Sequence, residues 1–422
     1  MAIPSLSDIE FKHILAENFT PSATIKTPER LFGREKHLQT IDRAFASPGR
    51  QIFIYGDRGV GKSSVAETAA SLQNDSSHSP IYVACSNNSG FSEVLSAIGN
   101  SVVDITQRVE RPGTPRQVSG TLLGSGGSYT PAGNPQFELP DSSSLNGALD
   151  VVRYVLSRRR GRQVIIVDEM ERIRDSKERE KFAEFIKNIP QLEDRVKFIF
   201  CGIGTTVDEL LGAHPSAGRI LETIALEKLH HNYLWEIIGR VADKTGVSVD
   251  REMNIRIGQI SDGFPHYVHL IGESLFWAAF DDDEVVDQLS RDHFKAGIDG
   301  ALARAESVLR HQYDKATQKT KNTADYEEAL WALADNMDDR RQLSDIYENS
   351  YRRIMLTRKP IRPDMLPRDR FNQRLLALRK EGHGSVVMGY GSGWFGFREN
   401  ILRGYVRLRA EQAGIELGRH IS

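Results

Sequence analysis

The chain has only two cysteines, Cys85 and Cys201, in 422 residues. Both sit in apolar, strand-like runs, so neither a disulfide scaffold nor a cysteine-based zinc cluster is expected, and the usage suits a reducing cytoplasm. Long hydrophobic runs are also missing. The longest, Leu275–Phe280, is far short of the ~20 residues that a membrane span requires. The opening MAIPSLSDIEFKH carries acids early and lacks both an apolar core and a small-residue cleavage site, so no secretory leader is expected. The expected setting is cytoplasmic, without a membrane partner. Internal repeats and sustained heptads are absent as well, which excludes solenoids and coiled coils.

What remains is an ordinary globular composition, with 39% hydrophobic and 27% charged residues. The length accommodates roughly two to three domains. A net charge of −2 conceals an asymmetry. From Ser350 to Ser422 there are 15 Lys and Arg against 6 Asp and Glu, so the body before Ser350 is acidic. A basic end on an acidic body is the charge pattern of a nucleic-acid-facing module, and also of an Arg-rich solvated face.

Residues 1–28 are polar, contain Pro4, Pro21 and Pro28, and read as an N-terminal arm. After Pro48-Gly49, apolar runs of strand length occur at Gln51–Tyr55, Ile81–Cys85, Val164–Val167, Lys197–Cys201 and Thr223–Leu226, mostly separated by amphipathic stretches. That alternation predicts a doubly wound parallel sheet within an α/β domain over residues 29–229. A Gly/Ser/Pro-rich stretch at 111–144 interrupts it as an insertion, either a mobile loop or a hairpin with strands near Ser119–Leu123 and Ser128–Thr130. From His230 the strand signals stop, and residues 230–311 read as an all-α unit. Gln312–Asn322 reads as a linker or a frayed helix end. Residues 323–422 then show three helices, a candidate hairpin around Gly391-Ser392-Gly393, and a terminal helix, the order of a winged helix.

Gly56-Asp57-Arg58-Gly59-Val60-Gly61-Lys62-Ser63 is a complete phosphate-loop motif, placed between a strand and a helix as that motif requires. Its glycines let backbone N–H groups curl around phosphates at a helix N-terminus, Lys62 is suited to the β- and γ-phosphates, and the Ser63 hydroxyl to Mg²⁺. Ser64 joins this nucleotide-binding set. In Val164-Ile165-Ile166-Val167-Asp168-Glu169 a buried strand delivers two carboxylates at its C-terminal end. Asp168 is suited to act on the metal, directly or through water, and Glu169 to polarise an attacking water.

Together these motifs resemble an AAA+ ATPase. Within that superfamily, Leu31-Phe32-Gly33-Arg34-Glu35 is similar to the entry motif of the STAND and archaeal-ATPase group, whose core resembles the replication-initiator ATPases; the resemblance covers roughly residues 30–300. It implies that Leu31 and Phe32 pack near the adenine and that Arg34 lies at the nucleotide or at a domain joint. It also implies a polar sensor after the fourth strand, for which Thr205 or Thr206 is the candidate in place of the usual Asn. Arg219, just before the fifth strand, takes the place of the arginine finger offered to a neighbouring subunit, or else forms an ion pair within its domain. His266 stands where initiator-type relatives carry an Arg at the γ-phosphate. A neutral imidazole makes a weaker contact there, which implies slow turnover.

The fold expected is therefore α/β: a P-loop AAA+ parallel sheet with an all-α lid and a C-terminal winged helix. In the last module Leu375, Leu376 and Leu378 are expected to face a core. Arg370, Asn372, Gln373 and Arg374 are candidates for DNA contact from the third helix, and Trp394 from the wing. The function expected is an ATP- and Mg²⁺-dependent ATPase that forms homo-oligomers and couples its nucleotide state to DNA or to a DNA-bound partner. The alternative is a STAND-like signalling switch that oligomerises on a protein partner without DNA. A small-molecule kinase is disfavoured, because nothing after the α/β domain supplies an acceptor pocket.

Overall fold

A computed structural model of the chain describes residues 3, 6–74, 78–87, 89–103, 140–213, 215–318, 323–358 and 365–418. The candidate strands of the 111–144 insertion lie outside the described residues. The described chain divides into two compact units, Leu38–Tyr55 with Ala69–Ile224, and Met1–His37 with Gly56–Thr68 and Ala225–Ser422.

The first unit holds a five-stranded sheet. In chain order the elements through the end of the sheet are α1 (Asp8–Asn18), α2 (Glu35–Ala46), β1 (Gln51–Tyr55), α3 (Lys62–Gln73), β2 (Ile81–Ala84), α4 (Phe91–Asn100), α5 (Leu145–Arg158), β3 (Gln163–Asp168), α6 (Ser176–Asn188), β4 (Val196–Gly202), α7 (Gly204–Ala213) and β5 (Leu221–Ala225). The sheet order is β2-β3-β4-β1-β5. The pairings β2–β3, β3–β4 and β4–β1 are parallel, with Ile165 opposite Ile81 and Phe198, and Ile199 opposite Ile52. β3 and β4 are buried along their whole length, which is why they read as unbroken apolar runs rather than alternating ones. Helices cover the sheet with a core rich in phenylalanine, where Phe91 meets Phe182 edge-on at 5.0 Å and Phe198 stacks on Phe200 at 5.6 Å. Helix starts follow their side-chain caps: Ser144 accepts from the Gly147 N–H and Asp175 from the Lys177 N–H. The predicted strands and the α/β class are present, and the Lys197 within the β4 run is buried against Asp194 at 2.7 Å.

The second unit is mainly helical. It contains α1 and the phosphate loop, then α8 (His231–Thr245), α9 (Arg251–Ser261), α10 (Pro265–Phe280), α11 (Arg291–Arg304), α12 (Ser307–Thr317) and α13 (Thr323–Ala334). Next come β6 (Arg341–Gln342), α14 (Leu343–Asp345), a π-turn at Ile346–Tyr351, α15 (Arg352–Thr357), α16 (Arg368–Ala377), β7 (Val387–Gly389), β8 (Trp394–Phe397) and α17 (Ile401–Gln412). β6, β8 and β7 form a small antiparallel sheet, in which Arg341 pairs with Phe395 and Val387 with Phe397.

Three local expectations change. The polar N-terminal arm contains α1, capped reciprocally by Ser7 and Glu10, and its Phe11 is fully buried, stacked on Phe280 at 4.1 Å and edge-on to Trp277 at 5.3 Å. Two buried apolar residues, Phe11 and Leu15, in a polar helix give too weak a period to be read from sequence. Gln312–Thr317 is the second half of α12, buried at Tyr313, Ala316 and Thr317, rather than a linker. Leu376 is 38% exposed, whereas Leu375 and Leu378 are buried, because one face of α16 cannot hold two consecutive residues.

Candidate functional site

The phosphate loop leaves the last residue of β1 and runs into α3. Gly59 and Gly61 have φ of +86° and +97°, a left-handed backbone that only glycine adopts without strain. Space beside Gly61 is open: a Cβ built there meets nothing within 4 Å. Lys62 is 9% exposed, and its ammonium donates to the carbonyls of Gly56 at 3.0 Å and Asp57 at 2.9 Å. The loop thus supplies the lysine with two acceptors of its own, both exchangeable for anionic oxygens. Lys62 opens α3, and Ser63 follows it in the first turn.

Arg34 is buried and ties the loop to a second segment. Its Nη2 donates to the Val60 carbonyl at 3.1 Å and to the Glu227 carbonyl at 2.6 Å. Burial depresses this guanidinium to about 10, with Glu227 and Glu35 opposing the fall. Phe32 is half-buried under the Arg240 guanidinium, 4.5 Å from ring centre to Cζ. Ser64, expected among the nucleotide contacts, accepts the Ile25 N–H at 3.1 Å, so its hydroxyl joins α3 to the N-terminal segment. Thr24 and Lys26 add bonds to Glu67 at 2.6 and 3.1 Å. No sequence signal marked Thr24–Lys26, because this lacing is made by ordinary polar residues of an irregular stretch.

His266 lies at the start of α10, with Nδ1 3.2 Å from the Pro21 carbonyl and Nε2 4.0 Å from Glu306. Burial holds its pKa below the usual imidazole range, against the pull of Glu306, so the ring is neutral near pH 7. Glu306 in turn pairs with Arg58 of the loop at 2.8 Å.

In the other unit, Asp168 closes β3 and Glu169 follows it. Asp168 is 1% exposed, and its carboxylate accepts from the Tyr82 hydroxyl at 2.9 Å and from the Glu169 N–H at 2.7 Å. Tyr82, on the neighbouring strand, was not among the candidates; residues that meet across a parallel ladder leave no mark on local sequence. Glu169 has a φ of +57°, rare for a residue with a Cβ, and such strain persists where the surrounding structure holds it. Its carboxylate grips Arg172 in a two-point pair, at 2.7 and 3.3 Å. Burial near Asp168 pushes the Cys85 thiol up to about 12, so it stays protonated. Of the two sensor candidates, Thr205 is exposed at the start of α7 and Thr206 is buried. Because β3 and β4 are parallel neighbours, Asp168, Glu169 and Thr205 emerge at the same edge of the sheet. Arg219 is exposed at the end of the turn before β5.

The DNA candidates separate. Arg370 and Gln373 are exposed on α16, Asn372 is half-buried, and Trp394 is 42% exposed at the start of β8. Arg374 instead pairs with the buried Asp325 at 2.9 Å and lies over the Tyr326 ring. Other cations of the basic end also turn inward: Arg353 to Asp335, Arg358 to Glu328, and Arg403 and Arg407 to Asp262. The excess counted after Ser350 is therefore partly answered by acids at 262 and 325–335, which lie before it in the chain.

Residues 30–199 match the family of the AAA ATPase domain. Over those residues the chain is similar to an AAA ATPase domain. Its fold is the α/β P-loop AAA+ type, a parallel five-stranded sheet with helices. The whole chain is similar to the Walker-type ATPase Paby2304 of Pyrococcus abyssi, with a TM-score of 0.53 at 13% identity over 92% of this chain and 99% of that one. Lower similarity extends to the ORC2 protein of Aeropyrum pernix, TM-score 0.48 at 14% identity over 95% and 98% of the two chains. Cdc6p from Pyrobaculum aerophilum gives 0.47 at 14% over 97% and 98%. No curated protein matches the chain in sequence. No helix among the described residues is long and apolar enough to cross a membrane.

The AAA ATPase motifs carry, one in each unit, oxygen donors of the kind that Mg²⁺ takes. The Ser63 hydroxyl and the Asp168 carboxylate are hard oxygen donors, and no group of three or more His, Cys, Asp or Glu among the described residues could hold a metal. Mg²⁺ is ordinarily held by one or two protein oxygens together with phosphates and water, so a complete protein cage is not required.

Proposed function

We propose that this chain binds ATP with Mg²⁺, hydrolyses it slowly, assembles with copies of itself, and passes its nucleotide state to a partner through its C-terminal part, read as a winged helix. The observation that carries the reading is the loop itself: two left-handed glycines, an open cradle, and a buried lysine resting on two exchangeable carbonyls. Lys62 and the loop N–H groups take the phosphates, and Ser63 and Asp168 would hold Mg²⁺, which would supply charge neutralisation at the phosphates. Glu169 polarises the attacking water once it leaves Arg172, and Thr205 positions it. Arg219 is offered to the neighbouring copy. Neutral His266 brings no cation to the phosphates, which supports slow turnover.

DNA is the partner favoured by the exposed Arg370, Gln373 and Trp394. The inward pairing of Arg353, Arg358, Arg374, Arg403 and Arg407 favours the second reading, a nucleotide switch that acts on a protein. Titration of a fluorescent ATP analogue tests the common core: the parent binds and Lys62→Ala does not. Equal binding by the two proteins removes the ATPase reading. Mass measurement in solution with ADP or a slowly hydrolysed ATP analogue, with and without DNA, separates the partners. Growth of the assembly with the analogue alone, unchanged by DNA, selects the switch.

A further inference from the structure

The phosphate loop is held from outside by the start of α17, more than three hundred residues away in the chain. Asn400 Nδ2 donates to Asp57 Oδ2 at 2.8 Å. Glu399 lies 3.6 Å from Arg58, whose guanidinium also pairs with Glu306 at 2.8 Å. Between these contacts Ile401 comes so close to Gly59 that a Cβ built on the glycine would sit 2.5 Å from Ile401 Cδ1. Three consecutive residues of the C-terminal segment thus touch three consecutive residues of the loop. The rest of α17 is clamped to the helices behind it: Arg403 and Arg407 bind the buried Asp262, and the Tyr267 hydroxyl donates to the Ile401 carbonyl at 2.6 Å.

We propose that Glu399, Asn400 and Ile401 form a latch on the phosphate loop that opposes nucleotide binding until it is released. The proposal rests on the ATP-binding reading above. The reason is electrostatic and steric. For phosphates to enter, Lys62 must leave the carbonyls of Gly56 and Asp57, and Asp57 and Arg58 are the residues that Asn400, Glu399 and Glu306 restrain. Glu306 and Glu399 also place two carboxylates on the one guanidinium of the loop, which withholds that charge from an incoming anion. Coupling between sites is reciprocal, so nucleotide binding must loosen the start of α17 by the same factor that the latch weakens nucleotide binding. The C-terminal segment would then report the state of the loop to whatever it binds.

The test uses the full chain and the variants Asn400→Ala and Glu399→Gln, both partly exposed residues ahead of a helix that Arg403 and Arg407 hold independently. Two measurements are made. In the first, amide hydrogen exchange of the loop peptides is followed without nucleotide; the latch predicts faster exchange in both variants. In the second, ADP and a slowly hydrolysed ATP analogue are titrated; the latch predicts tighter binding, within the roughly 5- to 150-fold range usual for coupled sites. Nucleotide added to the parent should in turn raise exchange at the start of α17. Unchanged loop exchange overturns the proposal, and so does unchanged or weaker nucleotide affinity, since weaker affinity would mean that α17 builds the loop rather than restrains it. A parent protein that binds no nucleotide overturns the ATPase reading, while the exchange measurement still decides whether α17 restrains the loop.

Discussion

The Arg407 guanidinium lies 3.2 Å from the Asp262 carboxylate, and neither side chain has any exposure to solvent. Arg403 reaches the same carboxylate at 2.7 Å, and Lys228 approaches it at 3.3 Å. Burial depresses Arg407 to about 10, with Asp262 opposing the fall. Removing one partner of such a cluster leaves charges buried without compensation, at a cost of roughly 3–5 kcal/mol. Asp262 also caps α9 with a φ of +52°, which Asn tolerates nearly as well. Asp262→Asn therefore removes the charge and keeps the turn, and denaturant unfolding should show that loss. Asp339→Asn, at a carboxylate 55% exposed, should cost under about 1 kcal/mol.

Glu169 and Arg172 make opposite predictions from one ion pair. Glu169→Gln should bind ATP and slow phosphate release by about 10²-fold or more, the range for loss of a general base. Arg172→Ala should free the carboxylate and raise turnover. Both side chains are about 40% exposed, so the pair is worth at most about 1 kcal/mol and the gain should not exceed about fivefold. A fall in turnover for Arg172→Ala would make the arginine a helper of the reaction.

Arg219 is exposed ahead of β5, as a residue offered to a neighbouring copy must be. Arg219→Ala should lower hydrolysis without weakening ATP binding. Mixing it with Lys62→Ala protein should restore part of the activity in hybrid interfaces. Absence of rescue in a pair shown to co-assemble assigns Arg219 to its own domain.

His269 gives stability a pH dependence. Burial, with His266 and Arg30 adding to it, depresses this imidazole to about 4, while an unfolded chain titrates near 6.5. The unfolded state then binds more protons between those values, so the contribution is complete above about 6.5 and is lost as pH falls toward 4. Its size is roughly 3 kcal/mol. His269→Gln, which keeps an acceptor for the Thr20 N–H, should flatten the unfolding free energy measured over that interval.

For DNA the inward-facing cations change what salt dependence should reveal. Arg370→Ala should lower the slope of log K against log salt by up to about 0.9, the value for one phosphate contact. Arg374→Ala should leave the slope unchanged and lower the unfolding midpoint, because the buried Asp325 loses one of its ion-pair contacts. A slope change for Arg374→Ala, with stability preserved, would place that guanidinium on the nucleic acid.

What the sequence determined by itself is the chemistry carried by short, local patterns. Gly56–Ser63 needs only its own glycines, lysine and hydroxyl, flanked by a strand and a helix, and the β3 run ending in Asp168 and Glu169 is legible because a strand buried on both faces must be continuously apolar. The α/β class follows from the same runs. Tertiary structure alone decided which groups answer one another. Sequence alone makes Arg374 a groove-facing cation and the basic end a charge patch, whereas in the fold Arg374 pairs with Asp325 and other arginines of that end pair with acids from before Ser350. Asn400 carried no motif at all, yet it bonds Asp57 of the phosphate loop. A charge count or a helical period sees only neighbours in sequence, whereas desolvation obliges every buried charge to find its partner wherever in the chain that partner lies.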